Sequence, residues 1–529
     1  MMHKAPGLSA GVVILPIYFL GAILIGWTAR RHNRSANSYL SASHSLPLWI
    51  VTPAYLATNC GALEIIGISA MAAQYGVSAF HFYWIGAIPA MVFLSIWMMP
   101  VYRRSGVGSV PQYLEVRYGH NLRLLNACIF ALTMLLLAGI SLYAMAQTLR
   151  VLFEISFLTS ILICAGVVLA YILPGGIRAT IYNEVFQLIV MIAGIAPVAL
   201  YSFRHGAVSF TRGQGFPSHL WAGLPLASDK APFDAIGVVI GLGFVLSFGY
   251  WCTDFVQMQR AFTARTEIEA RRVPLWAGFG KLLFSLLLVI PGLAAAHLLP
   301  ELGSSRRFDQ ALPELMTVLY SPAMLGLGFT ALAASLMSGL AANASAFSAI
   351  WTEDIYRAHL RRHESESHYV AIGRIAVCAA VIFGAMASYI DFLFGNLMEH
   401  VQLIFSIFGA PLWAVFLLGM TTRRCSERGA IVAYLGGSAI ALLHLIAFSQ
   451  KWIAYGSMMS ANFHAAIYAF CTAMVLGLVV KPSSTSQPIR SEKELTFQWK
   501  GSWRDSKHAL WPLAILLIAS CVALNLLWR

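Results

Sequence analysis

Long apolar runs recur along this chain from Leu8 to Trp528, with short polar connections between them. A helix needs roughly 20 apolar residues to cross the hydrocarbon core of a bilayer, so a chain built of such runs has little room for a soluble domain. Only 11% of the 529 residues are charged, whereas an ordinary soluble domain has about 25%. The pattern therefore predicts an all-α, polytopic protein embedded in the lipid bilayer.

The apolar runs predict about fourteen transmembrane helices. The candidate spans are 8-29, 47-74, 79-101, 122-150, 157-173, 180-203, 233-256, 275-298, 315-355, 370-390, 394-420, 428-448, 461-480 and 509-528. The 315-355 stretch is too long for one crossing at 1.5 Å per residue. We expect it to hold one long helix with flanking irregular chain.

Basic residues are concentrated in alternate loops, and cytoplasmic loops of membrane proteins carry an excess of Lys and Arg. The rich loops lie near residues 30–34, 103–123, 260–272, 357–362, 423–428 and 481–507. The opposite loops, near 204–230, 306–307 and 451, have far fewer. This alternation predicts a multi-pass protein of the plasma (inner) membrane with both termini extracytoplasmic. The scatter of basic residues also argues against a nucleic-acid partner, despite a net charge of +13.

Two spans contain small and polar residues where a lipid-facing helix should be apolar. The span 47-74 has Thr58–Gly61 at its centre, and the span 233-256 ends in Gly249–Asp254. Unsatisfied backbone groups are costly in hydrocarbon, so such residues indicate an unwound segment beside a polar cavity. The five-span separation predicts two inverted repeats, 47-203 and 233-420, each opening with a broken helix. The alternative is that Asn59 and Gly61 only allow close helix packing.

The repeats divide the chain into an N-terminal helix with a basic loop (1-46), the first repeat (47-203), an extracytoplasmic loop (204-232), the second repeat (233-420) and further C-terminal helices (421-529). We expect the chain to work as a monomer in its lipid bilayer.

Five ionisable residues fall in or near apolar spans, where a charge costs about 2.5 to 3.5 kcal/mol on the insertion scale. They are Glu64, Glu184, Asp254, Lys281 and Asp354. For Lys281 the alternative to a cavity role is extension of the side chain to the interface, and for Glu184 it is a favourable position in the helix dipole. Asp354 is expected at the cytoplasmic helix end, paired with arginines.

The order and spacing of several motifs resemble the sodium:solute symporter family, and within it the sodium/glucose and sodium/galactose cotransporters, from Ser45 to about Gly436. The matching stretches are Ser45–Trp49, Ala57–Gly61, Ser109–Tyr118, Pro174–Ala179, Tyr250–Asp254, Gln259–Arg260, Lys281, Pro291–Gly292, Ala331–Leu340, Asp354–Tyr356, Trp413–Gly419 and Arg428–Ile431. The resemblance implies a leucine-transporter-type core of two inverted five-helix repeats that works by alternating access.

By the same resemblance, the substrate-binding positions are Asn59, Glu64, Lys281 and Gln402, with Asp254 in the corresponding region of the second broken helix.

The resemblance also implies a sodium site. Its ligands would be the backbone carbonyls of Ala57 and Cys60 together with Ser335 and Ser338. Gly339 departs from the family pattern, because sodium-coupled members usually have a second hydroxyl residue there.

Two further departures concern carboxylates. Glu184 stands where the cotransporters tend to have Asp, and Glu64 stands where the sugar carriers commonly have Gln or His. Glu64 or Glu184 is therefore a candidate for carrying a coupling proton, as an alternative to sodium.

The leading prediction is a secondary active transporter that couples a cation, sodium, to symport of a small polar solute such as a sugar or polyol. The alternatives are a proton-coupled symporter, an uncoupled facilitator of the same fold, and a symporter of an amino acid or carboxylate. No paired metal-ligand motif, nucleophile elbow or phosphate loop indicates an enzyme.

Overall fold

Helices make up nearly all of the described part of the chain in this computed structural model. The structure describes residues 8–29, 31, 39–40, 45–153, 155–204, 220–221, 224–228, 230–394, 397–422, 424–480, 495 and 510–528. The basic segment 481–507, apart from residue 495, and most of the predicted 204-232 loop lie outside these residues.

The α-helices fall into two groups, before and after the long loop near residue 220. The first group is α1 (Leu8–Ala29), α2 (Leu48–Asn59), α3 (Ala62–Tyr75), α4 (His81–Trp84), α5 (Ile88–Phe93), α6 (Met99–Arg104), α7 (Val110–Arg117), α8 (His120–Phe153) and α9 (Phe157–Arg204). The second group is α10 (Ser247–Thr253), α11 (Phe255–Phe262), α12 (Glu267–Leu298), α13 (Ala311–Leu319), α14 (Pro322–Ala349), α15 (Glu366–Ala387), α16 (Leu397–Ile404), α17 (Ala410–Thr421), α18 (Glu427–Ser449), α19 (Met458–Val479) and α20 (Leu510–Leu527).

Short segments of other helix types join some of these helices. The π-helical segments are Leu94–Met98, Gly237–Leu246, Ile350–Leu360 and Phe405–Gly409. The 3-10 segments are Gly76–Phe80, Phe308–Gln310 and Ser388–Leu393. Tighter or wider turns of this kind often lie at functional sites, and two of the π segments flank the cavity described below.

Within the described residues, ten helical stretches are long and apolar enough to cross a membrane, or eleven with the bent pair α10–α11. Two of the ten, Glu64–Arg104 and Phe157–Arg204, have 41 and 48 residues, which exceeds the roughly 20 residues of one crossing. The all-helical membrane architecture is thus present, and the total of fourteen helices stays a prediction.

Both predicted interruptions are present. Helix α2 ends at Asn59 and α3 begins at Ala62, so the chain leaves helical geometry at Cys60 and Gly61. In the predicted second repeat the chain bends by 46° between the helical stretch that ends with α10 and α11, where Asp254 has an extended backbone. The start of α2 and the end of α11 are also joined, because the Leu46 amide donates to the Thr263 carbonyl at 3.0 Å.

Several predicted helix boundaries were wrong. The span 233-256 continues beyond the bend to Phe262, and the span expected from residue 275 begins at Glu267. The charged residues of the first turn of α12 lower its hydropathy, but the Thr266 hydroxyl accepts a hydrogen bond from the Glu269 amide and caps the helix. The predicted spans 157-173 and 180-203 are separated as expected, because the run Phe157–Arg204 is two helices that meet at a kink at Gly176.

The kink at Gly176 requires glycine. Its φ of 55° lies in the left-handed region, which residues with a Cβ rarely adopt. A Cβ there would also lie 2.6 Å from the Tyr39 carbonyl oxygen. The chain therefore turns at this point without losing the contact with the segment that precedes α2.

Helix α14 lies at the centre of the bundle, with residues 328–349 all buried. It packs against α1, α8 and α9, and small side chains allow the close approach. The outer helices α18 and α20 instead expose large apolar side chains such as Leu443 and Leu527, as expected where a helix faces lipid.

A buried ion pair ties α9 to α11. The Arg260 guanidinium donates to the Glu184 carboxylate at 2.6 Å, with the two side chains 0% and 1% exposed. The assignment of Arg260 to a basic loop was therefore wrong: it lies inside the bundle because the carboxylate of Glu184 compensates its charge. Arg117 is likewise buried, since it donates to the carbonyls of Gly419 and Thr422.

The predicted pairing of Asp354 with arginine is present. The Arg123 guanidinium donates to the Asp354 carboxylate at 2.7 Å, and the Ser109 hydroxyl donates to the same oxygen at 3.1 Å. This pair joins the end of the long helical stretch Pro322–Leu360 to the start of α8.

The contact between α9 and α14 predicts that Gly194→Ala lowers the melting temperature in detergent. The added Cβ would lie 2.4 Å from the Cβ of Ala331, and overpacking of this kind costs about 1 to 3 kcal/mol. Gly166→Ala on the same helix is the matched control, because nothing lies within 4 Å of its added methyl. The melting temperature of the Gly166→Ala variant should stay the same or rise. Equal melting temperatures for the two variants would contradict the described packing.

The ion pair between Glu184 and Arg260 predicts a non-additive effect on stability. Glu184→Gln or Arg260→Gln alone leaves one buried charge uncompensated, which costs about 3 to 5 kcal/mol. The double variant should melt above the less stable single variant. Arg361→Gln is the control, because its pair with Glu364 is exposed and should contribute little. Strictly additive melting shifts would show that the two side chains do not compensate each other.

Candidate functional site

A cavity lined by both polar and apolar side chains lies between the two broken helices. Its empty volume of about 970 Å³ includes space that is open to solvent. The five residues predicted to bind substrate all line it: Asn59, Glu64, Asp254, Lys281 and Gln402. The structure thus brings together residues that lie up to about 340 positions apart in the chain.

Asn59 and two residues of the second broken helix are joined by hydrogen bonds. The Asn59 amide donates to the Tyr250 hydroxyl at 2.7 Å, and the Gln257 amide donates to the same oxygen at 2.9 Å. The amide oxygens of Asn59 and Gln257 have no hydrogen-bond partner among the described residues. A ligand that donates hydrogen bonds would satisfy both of these acceptors.

Asp254 caps α11 as well as lining the cavity. Its carboxylate accepts a hydrogen bond from the Gln257 backbone amide at 3.2 Å, which is the usual geometry of an aspartate N-cap. The cap explains how a new helix can start directly after the bend. One edge of this carboxylate is therefore used by the protein itself.

Glu64 and Lys281 form an ion pair inside the cavity. The Lys281 ammonium contacts both carboxylate oxygens of Glu64, and the side chains are 3% and 9% exposed. The ammonium also lies 5.0 Å from the ring centroid of Tyr83 and 5.6 Å from that of Trp251. The geometry favours the cavity alternative for Lys281 over extension to the interface.

Gln402 lies near the end of α16, just before a π-helical segment. Its amide nitrogen has a weak contact of 3.6 Å to the Met398 sulfur, and its amide oxygen has no partner. The π segment that starts at Phe405 widens the helix next to the cavity. Gln402 thus lines the cavity with an amide oxygen that no described residue satisfies.

Glu184 does not line this cavity. Its carboxylate contacts Arg260 and the hydroxyl of Thr58 on α2. It therefore lies close to the first broken helix and is paired with the second through Arg260.

The residues proposed as sodium ligands meet at one junction. The Ser338 hydroxyl donates to the Ala57 carbonyl at 3.2 Å, and the Ser335 hydroxyl is buried without a partner. Cys60 lies at the break itself, where the last carbonyls of a helix have no intrahelical donors. Oxygens of these kinds suit a hard cation such as sodium, so the residues present fit the ion.

Gly61 and Gly339 lie against each other at the first break. A Cβ on Gly61 would lie 3.2 Å from the Gly339 Cα, so the two backbones are in close contact. Both interpretations of the Thr58–Gly61 segment therefore hold in part, because Asn59 faces the cavity while Gly61 mediates packing.

Sequence reasoning missed Tyr250, Gln257 and Trp251 as cavity residues. Gln257 could have been placed near Asp254 from its position three residues later, because an N-cap side chain accepts a hydrogen bond from a backbone amide at that spacing. Tyr250 and Trp251 lie within a matched motif, but their aromatic character alone does not distinguish cavity from core.

Comparison with known proteins agrees with this architecture. The family model described as the sodium:solute symporter family matches residues 39–437. The sodium/glucose cotransporter of Vibrio parahaemolyticus is 27% identical over 481 residues, which are 84% of this chain and 86% of that protein. The sodium/myo-inositol cotransporter 2 of Mus musculus is 27% identical over 478 residues, which are 83% of this chain and 70% of that protein.

Among solved structures, a sodium-coupled sialic acid symporter in a substrate-bound, outward-open state matches with a TM-score of 0.75 and 19% identity, covering 89% of this chain and 97% of that one. This likeness shows the fold. A nucleobase-cation symporter in a closed conformation matches with a TM-score of 0.52 at 17% identity. With a family model that covers most of its length and relatives that are transporters rather than enzymes, the chain belongs to the sodium:solute symporter family.

Proposed function

We propose that this chain is a secondary active symporter that uses a sodium gradient to carry a small polar solute such as a sugar or polyol. The observation that carries this proposal is the convergence of Asn59, Glu64, Asp254, Lys281 and Gln402 on one cavity between two broken helices. Polar groups contributed by separate helices suit a central solute site. The glucose and myo-inositol cotransporters among the relatives support a hydroxylated solute.

Alternating access would rest on two inverted repeats, 47-203 and 233-420, within a total of about fourteen helices of leucine-transporter type. The breaks at Cys60–Gly61 and at Asp254 support this assignment, because each lies near the start of its repeat. The segments 1-46, 204-232 and 421-529 would lie outside the repeats. The working unit is a monomer in the inner membrane with both termini extracytoplasmic.

The coupling ion would bind where α2 meets α14. Carbonyl oxygens of Ala57 and Cys60 and hydroxyl oxygens of Ser335 and Ser338 would hold it, while Gly339 supplies no side-chain ligand. The buried, unpartnered hydroxyl of Ser335 supports this site, because a buried polar group normally has a partner. Sodium would supply the driving force by moving down its gradient together with the solute.

Proton coupling is the alternative, with Glu64 or Glu184 as the group that carries the proton. Glu64 lines the cavity and Glu184 contacts α2 and α11, so either is placed where a change of charge would affect a broken helix.

Proteoliposome uptake separates these mechanisms. We expect a labelled sugar or polyol to accumulate above its outside concentration only under an inward sodium gradient, and to leave when a sodium ionophore is added. The panel should also contain amino acids and carboxylates. Accumulation that follows a pH gradient in the absence of sodium would establish proton coupling, and equilibration without accumulation would establish a facilitator.

The proposed ion site predicts the effect of two serine substitutions. Ser335→Ala or Ser338→Ala should raise the sodium concentration for half-maximal uptake about tenfold, because a contact to a charged group contributes about 1.5 to 3 kcal/mol. Ser348→Ala is the matched control on the same helix, since its hydroxyl donates to the Gly373 carbonyl at 2.8 Å instead. Unchanged sodium dependence in both Ser335→Ala and Ser338→Ala would place the ion elsewhere.

A further inference from the structure

We propose that Glu64 is a specificity-determining residue that neutralises Lys281, so that the carrier selects uncharged polyhydroxylated solutes and rejects carboxylates. This inference rests on the proposed function, since it concerns the solute that the same cavity takes. It assigns to Glu64 a role in choosing the charge of that solute.

The charge of the cavity is set by three residues. Among the lining residues, only Glu64, Asp254 and Lys281 have a carboxyl or amino group in the side chain. Lys281 is thus the single cation of the lining, against two carboxylates. An anionic solute entering this site would meet more negative than positive charge, at short range and away from bulk water.

The described contacts of the Lys281 ammonium are one carboxylate and two aromatic rings. Both carboxylate oxygens of Glu64 contact it, and the rings of Tyr83 and Trp251 lie within 5.0 and 5.6 Å of it. An ammonium has three donors, and here a carboxylate and two aromatic faces surround it. A solute carboxylate would have to displace Glu64 and leave it buried without a partner, which is costly.

The rest of the lining offers acceptors for hydroxyl protons. Within the part of the chain that the structure describes, the amide oxygens of Asn59, Gln257 and Gln402 have no hydrogen-bond partner. The Tyr250 hydroxyl already accepts two hydrogen bonds, so its own proton is available to donate. This set matches hydroxyl groups, which both donate and accept, and a site built to hydrogen-bond hydroxyls discriminates strongly for them.

A structural role for the pair would give a different outcome. If Glu64 and Lys281 only tied α3 to α12, their substitution would change protein abundance and melting temperature but not the relative preference among solutes. The quantity that separates the two roles is therefore the ratio of the affinities for charged and neutral solutes. This ratio is measured on the fraction of the protein that is folded in the membrane.

The test compares neutral solutes with charged ones, and for each hexose the uronate and the hexosamine have the same carbon skeleton. Full-length protein in proteoliposomes is offered labelled D-glucose, D-galactose or myo-inositol under a sodium gradient. The accumulated solute is then competed with unlabelled hexoses, with glucuronate or galacturonate, and with glucosamine or galactosamine. For the wild type we expect competition by the neutral solutes and none by the uronates at a hundredfold excess.

Glu64→Gln should raise the affinity for the uronate relative to the neutral solute at least tenfold, because it leaves Lys281 without a counter-ion. Glu64→Asp, which keeps the charge, should still reject uronates. In the double variant Glu64→Gln/Lys281→Gln, the competition by uronates that Glu64→Gln alone introduces should disappear. Lys281→Gln alone leaves Glu64 unpaired and should shift competition towards the hexosamine, which provides a test if Glu64→Gln does not fold.

The outcomes separate the two proposals. A wild type that accumulates none of the neutral solutes overturns the proposed function and this inference with it. A wild type that accumulates a neutral solute but is competed equally by its uronate overturns the inference alone. The inference also fails if the uronate-to-neutral ratio is the same in wild type and Glu64→Gln and the hexosamine ratio is the same in Lys281→Gln.

Discussion

Backbone amides and carbonyls need partners inside a membrane, and this requirement determines where the chain can leave helical geometry. Each unsatisfied group costs several kcal/mol in hydrocarbon, so an unwound segment is tolerated only beside protein groups or a polar cavity. At the first break the Ser338 hydroxyl donates to the Ala57 carbonyl. At the second break the Asp254 carboxylate accepts from the Gln257 amide. The cavity lies between these two breaks, at each of which a side chain pairs with a backbone group.

The same requirement explains why much of the site was predictable from the sequence. Asn59, Glu64, Lys281 and Gln402 are expensive within an apolar span unless they have partners, so their presence in the sequence already indicates a shared polar environment. The structure places them, with Asp254, on one cavity. The breaks were predictable for a related reason, because small and polar residues at mid-span mark unwound chain.

What could not be predicted depends on pairings between distant residues. Arg260 was assigned to a basic loop because hydropathy treats each residue alone, whereas its burial depends on Glu184, 76 positions earlier in the chain. The start of α12 at Glu267 was missed for the same reason, since Arg271, in the second turn, is buried and donates to the distant Ser95 carbonyl. The Tyr250 hydroxyl accepts a hydrogen bond from Asn59 only because α2 lies next to the second broken helix in the fold.

The close contact between Gly61 and Gly339 has a thermodynamic consequence. The proposed ion ligands lie on both sides of it, on α2 and on α14, so an ion bound there would hold the two helices together. Any conformation in which these helices separate would lose ligands, and its population would fall as the ion concentration rises. The free energy of ion binding would then contribute directly to keeping the junction between α2 and α14 closed. Occupancy of the ion site would in that case report directly on which conformation the carrier adopts.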